Sequence, residues 1–128
     1  MNKLVIDAAR EKIFLIIITK DDIYNITKEN TKINYEKLTL IVKGFLNSHR
    51  LKVNDINKIY VNRGPGSFAG IRNSLSLVKA FYVTRKIDYY CYSFDDFKGQ
   101  KDIKYKNIPN LCEKFKIKKN LIKPVYLS

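Results

Sequence analysis

Three glycines fall within seven residues, Gly64, Gly66 and Gly70, in the run Val61-Asn62-Arg63-Gly64-Pro65-Gly66-Ser67-Phe68-Ala69-Gly70-Ile71-Arg72. The run lies between a β-branched apolar segment and one of helical periodicity. Such a loop leaves backbone N–H groups open at a helix amino terminus, where the helix dipole also favours an anion. Ser67 is placed to cap that helix. The loop is not a P-loop, because no Gly-Lys-Ser/Thr follows, and the three glycines miss dinucleotide spacing by one residue. Its chemistry leaves two readings open, a structural tight turn or a contact with an anion or partner.

The other residues that could do chemistry are few. Asp7 ends a short apolar run, where a carboxylate emerges at a sheet edge or site. With Asp21, Asp22, Asp95 and Asp96 it supplies enough carboxylates in number for a nuclease or ATPase, yet no spacing makes them a set. The single histidine, His49, sits near the end of a helical segment, where it reads as a cap rather than a ligand or base. Cys91 and Cys112 have no metal-like spacing and read as packing thiols, reduced in an intracellular chain. No metal site or cofactor is expected.

These residues need a scaffold, and the pattern supplies one. At 128 residues and 45% apolar content the chain fits one compact domain. It lacks an apolar run long enough for a membrane helix and a signal-like start, so a soluble, cytoplasmic protein is expected. Lys3 to Ile6, Ile13 to Thr19 and Ile23 to Thr27 read as three close-spaced strands, an antiparallel meander. From Tyr35 to Ser48 the period turns helical, with Leu38, Ile41, Val42, Phe45 and Leu46 on one face. Leu40 and Gly44 lie on another side, either as a tolerated glycine beside an exposed leucine or as a close-approach surface for a partner helix. Lys58 to Asn62 is a fourth strand, the segment to Arg85 a second helix carrying Ile71, Leu75, Val78 and Tyr82, with Leu77 and Phe81 widening its stripe, and Ile87 to Tyr92 a fifth strand. The result is an α/β fold, a mixed five-stranded sheet with two main helices.

The formal charge of +13 points toward an acidic partner such as RNA. Over half of it, +7, lies in residues 98–128, where nine lysines meet two acids. Order is expected to weaken beyond Phe97, apart from one or two helical turns over Pro109 to Phe115 and an extended segment over Leu121 to Leu127.

The glycine run closely resembles the Gly-Pro-Gly-Ser-Phe-Thr-Gly-Leu-Arg signature of the TsaB (YeaZ) family, with Ala69 and Ile71 the departures in its core. Leu4 to Asp7, Tyr35 to Leu46, Leu51 to Tyr60 and Ser93-Phe94-Asp95 extend the resemblance over most of residues 1–97. The ending Lys123-Pro124-Val125-Tyr126-Leu127-Ser128 is similar to the family's Pro-x-Tyr-Leu-Arg motif, with Ser128 in place of Arg.

This resemblance implies an RNase H-like fold, of the actin-like and sugar-kinase-like (ASKHA) kind. Residues 1–97 would be the first lobe, and 98–128 a basic remnant of the second with a terminal strand. It implies a non-catalytic subunit of the machinery that threonylcarbamoylates the adenosine beside the tRNA anticodon. Such a subunit pairs with TsaD, supports the ATPase TsaE, meets tRNA through the complex, and forms a homodimer where TsaD is absent. The pairing helices correspond to Tyr35–Ser48 and Gly70–Arg85, which nominates Leu40, Gly44, Leu77 and Phe81 as partner contacts. Arg63, Gly64, Pro65, Gly66, Ser67, Phe68, Gly70 and Arg72 form the signature loop. Asp7 is where a degenerate nucleotide site would sit, but Ala8 and Ala9 offer no side-chain donors to a phosphate. A different class of function remains beside this one: a free-standing nucleic-acid-binding module using the Lys98–Lys123 tail with Tyr105 and Phe115.

Overall fold

The computed structural model describes residues 1–126. Strands β1 (Lys3–Asp7), β2 (Lys12–Ile18) and β3 (Ile23–Glu29) form the antiparallel meander, and β4 (Lys58–Asn62) and β5 (Asp88–Tyr92) join β1 in parallel. The strand order is β3-β2-β1-β4-β5. The register places Ile6 opposite Leu15 on one side and Val61 on the other, so Asp7, one residue on, reaches the carboxyl end of the sheet beside Asn62.

Alternation along the strands buries two apolar faces, and each has its own cover. On the first, Leu4, Ile6, Leu15, Ile59 and Val61 pack against helices α1 (Lys32–Glu36), α2 (Leu38–Ser48) and α3 (Phe68–Arg85). Helix α2 buries Leu38, Val42, Phe45 and Leu46, with Ile41 half-buried, as its period requires. The single helix expected from Tyr35 to Ser48 is divided at Lys37, and its first part starts earlier because Thr31 caps it by accepting from the Asn34 N–H. Helix α3 begins at Phe68, capped by the Ser67 hydroxyl, which accepts from the Gly70 N–H at 3.2 Å.

The second face shows the largest departure from the sequence reading. Residues beyond Phe97 are not a weakly ordered tail. Helix α4 (Ile108–Lys114) lies over Val5, Ile16, Tyr60 and Tyr92, with Ile108, Leu111 and Cys112 buried and Ile103, Phe115 and Ile117 packed around them. The cause is an apolar series interleaved with the lysines, whose charged ends stay in water while the series closes the sheet.

Farther on, residues 121–126 form no sheet ladder. They are tied to the glycine loop by the Val125 N–H, which donates to the Arg63 carbonyl at 2.7 Å. Of the terminal strand expected up to Ser128, Leu127 and Ser128 lie outside the described residues. The outer edge of β5 is closed by Asn120, whose N–H donates to the Tyr89 carbonyl (2.7 Å) and whose Oδ1 accepts from the Tyr89 N–H (2.9 Å).

Because Ile108 is fully buried, Ile108→Ala should lower unfolding free energy by about 2–5 kcal/mol in a urea titration. A loosely attached tail would lose no more than a few tenths.

Candidate functional site

The carboxyl ends of β1 and β4 meet at Asp7, which is wholly buried. Its Oδ1 accepts from the Ala9 N–H (3.0 Å), and its Oδ2 accepts from Asn62 Nδ2 (3.1 Å) and from the Tyr105 hydroxyl (2.6 Å). Asn62 Oδ1 in turn accepts from the Gly64 N–H at 2.9 Å. Burial and the adjoining Asp7 carboxylate push the Tyr105 phenol well above its usual range, so it remains a donor. Arg10, 3.9 Å from Asp7 and stacked over Phe94 at 4.4 Å, closes the outside. Asp7 is thus buried and already accepts three hydrogen bonds from this chain. The Tyr92 hydroxyl is buried without a hydrogen-bond partner among the described residues, a cost of about 1–3 kcal/mol.

The glycine loop closes on the turn after β1. A Cβ on Gly66 would run into the Ala9 carbonyl oxygen, and one on Gly70 into that of Ala8. The Ser67 N–H donates to the Ala9 carbonyl at 2.8 Å. Close backbone approach thus accounts for these glycines without a phosphate. Arg63 is a strut: its guanidinium pairs with Asp96 (2.8 Å) and donates to the Lys123 carbonyl (3.3 Å). Pro65 and Arg72 are exposed, and Phe68, 56% exposed, packs on Tyr126 at 4.6 Å.

The four residues nominated for a partner divide. Leu40 is 68% exposed, and a Cβ on the exposed Gly44 would meet nothing within 4 Å. Leu77 and Phe81 are 6% and 5% exposed and belong to the core, because α3 turns both toward α1 and α2. They line a surface groove of about 230 Å³ with Tyr35, Leu38, Asn73 and Ala80. Asp21 and Asp22 lie in the β2–β3 turn, away from Asp95 and Asp96 after β5, and no group of three acids, cysteines or histidines among the described residues could hold a metal ion. His49 caps α2 and stacks on Tyr24 at 3.9 Å. Tyr105 and Phe115, the aromatics of the nucleic-acid reading, are half-buried and pack against the second core.

The sheet order, the helices on its first face and the glycine loop that ends β4 are those of an RNase H-like fold. Residues 28–93 match the family TsaD, tRNA N6-adenosine threonylcarbamoyltransferase, and the chain belongs to that family. The resemblance to TsaB is borne out among its relatives. The tRNA threonylcarbamoyladenosine biosynthesis protein TsaB of Buchnera aphidicola subsp. Schizaphis graminum (strain Sg) is 26% identical over 84 residues, 66% of this chain and 40% of that protein. YeaZ from Pseudomonas aeruginosa superposes with a TM-score of 0.66 at 17% identity, over 72% of this chain and 43% of that one. RuvC of T. thermophilus, in complex with Holliday junction substrate, shares the fold at a TM-score of 0.52 and 13% identity, over 77% and 68% of the two chains. The chain thus spans about two fifths of the length of the TsaB and YeaZ relatives. No helix among the described residues is long and apolar enough to cross a membrane.

Tyr105→Phe should cost about 1–3 kcal/mol in equilibrium unfolding, because Asp7 loses its shortest donor inside the protein. A loss within experimental error would show that Tyr105 does not hold the crevice shut. Burial pushes the Cys91 and Cys112 thiols up to about 12, so both should resist a thiol reagent at pH 8 until urea unfolds the chain. Their raised values favour the folded state below the ordinary thiol range of about 8.5, and this stability should be lost as the pH rises from there toward 12.

Proposed function

We propose that this protein is a non-catalytic partner subunit in the threonylcarbamoylation of the adenosine beside the tRNA anticodon. It docks a TsaD homologue on the α1–α3 side and supports TsaE within that assembly. The observation that carries the reading is the groove between α1, α2 and α3, with its apolar floor of Leu38, Leu77 and Phe81. Leu40 and Gly44 lie on the solvent side of α2, outside the groove, and a glycine whose Cβ would meet nothing in its own chain leaves room for another backbone. The glycine-loop signature and the family match support the same pathway.

The absence of catalysis rests on Asp7. A carboxylate that already accepts from a backbone N–H, an amide and a phenol has little left to offer a metal or a water nucleophile. TsaE and tRNA would then be met through the assembled complex rather than by a cleft in this lobe.

Leu40→Asp and Gly44→Leu each alter an exposed position, so both variants should keep the parent's thermal midpoint to within a few degrees. In co-expression with a TsaD homologue, each should weaken complex formation tenfold or more by titration calorimetry and lower the modified nucleoside seen by mass spectrometry. Unchanged affinity in both folded variants removes this surface from the interface.

A further inference from the structure

We infer that the concavity between the amino-terminal ends of β1 and β4, strand β5 and helix α4 is a phosphate-binding site, for the phosphate of a polynucleotide backbone or of a free nucleotide. It lies on the α4 side of the sheet, away from the partner groove. The inference does not rest on the proposed pairing with TsaD, and failure of that pairing would leave it standing.

The concavity is about 300 Å³, and its walls include Lys3, Lys58, Lys116, Tyr60, Tyr90 and Glu113. Lys3 and Lys58 each open a strand and are direct partners in the parallel register, so two ammonium-bearing chains leave the same sheet face side by side. Like charges on adjacent strands repel. Lys116, just past α4, brings a third. Among the described residues no carboxylate lies within 4 Å of any of the three ammonium groups. Asp88, in register with Lys58, is engaged elsewhere, accepting from Asn120 Nδ2 at 2.8 Å and pairing with Lys119 at 3.6 Å. Glu113 is the single acid in the wall. Three cations against one anion in a concave wall concentrate a positive potential that an entering anion would relieve.

The remaining features select among anions. Tyr60 and Tyr90 stack at 5.0 Å and 13°, and the Lys58 ammonium stands 5.8 Å from the Tyr90 ring centre. A ring face steadies a cation without neutralising it. Several ammonium groups around one space suit a phosphate, which presents oxygens in several directions, better than a planar carboxylate. Beyond Lys116 and Ile117 the surface opens into a second concavity of about 270 Å³ that includes Lys118 and Lys123, a track on which a phosphodiester chain could continue.

The test uses the full chain and three probes: labelled tRNA and a labelled single-stranded RNA by fluorescence anisotropy, and ADP by titration calorimetry, at about 50 and 200 mM KCl. Lys58→Glu with Lys116→Glu should weaken binding tenfold or more and reduce the salt slope for RNA by about two. Lys32→Glu with Lys79→Glu, the same charge change at exposed positions on the helical side, should stay within about twofold. Lys3→Gln with Lys116→Gln, milder and checked by circular dichroism, separates loss of the site from loss of the fold. Binding of RNA with no response to ADP assigns the polynucleotide, and binding of ADP assigns the nucleotide. Equal losses in the two charge-reversal pairs, or no binding of any probe by the parent protein, overturns the inference.

Discussion

The Asp7 carboxylate is the constraint on which the rest of this structure turns. A charge taken out of water is costly unless every lone pair finds a donor, and here the donors come from three separate stretches of chain. The turn after β1 gives the Ala9 N–H, the end of β4 gives Asn62, and the segment before α4 gives Tyr105. Each stretch is thereby fixed to the other two. Asn62 passes the restraint on to Gly64, and the turn after β1 accepts from the Ser67 N–H and meets Gly66 and Gly70 so closely that a side chain at either glycine is excluded. Arg10, largely exposed and 3.9 Å away, adds little to this beyond shielding. The glycine loop, the sheet end and the C-terminal segment therefore have one shared geometry.

Much of the first face was legible in the sequence because its signals are local. The apolar run Ile59-Tyr60-Val61, the helical step of Leu38, Val42, Phe45 and Leu46, and Ser67 ahead of α3 each speak for a single element. The second face was not, because its apolar residues are spread among lysines and their meaning depends on what they cover. Ile108, Leu111, Phe115 and Ile117 make sense only once Val5, Tyr60 and Tyr92 are seen to need a lid. Asp7 was legible from its position at a strand end; Tyr105, which donates to it, was not, because it lies 98 positions away. Leu77 and Phe81 show the limit of periodicity, which gives a stripe its width but not the number of neighbours that divide it: both lie in the core and on the floor of the groove.

The two covers also differ in character. Helices α2 and α3 bury continuous stripes, whereas α4 is a single short helix flanked by aromatic contacts, Tyr92 stacked on Phe97 at 5.9 Å and Phe97 tilted against Phe115 at 5.7 Å. Without this segment Val5, Ile16, Tyr60 and Tyr92 would be open to water. The lobe described here closes both of its sheet faces with its own residues.

The closure of the β5 edge by Asn120 has a consequence for how copies of this chain can meet. A β-sheet recruits strands through rows of unpaired N–H and C=O groups, and extended stacking needs such a row on both sides. In this sheet β3 stands at one end of the strand order with its outer row open, while at the other end Asn120 has taken up both backbone groups of Tyr89 and the Lys119–Tyr90 bridge adds a further pairing. Edge pairing is thereby disfavoured on the β5 side. A strand meeting the β5 edge would first have to displace Asn120 and Lys119, which disfavours continued edge-to-edge stacking on that side.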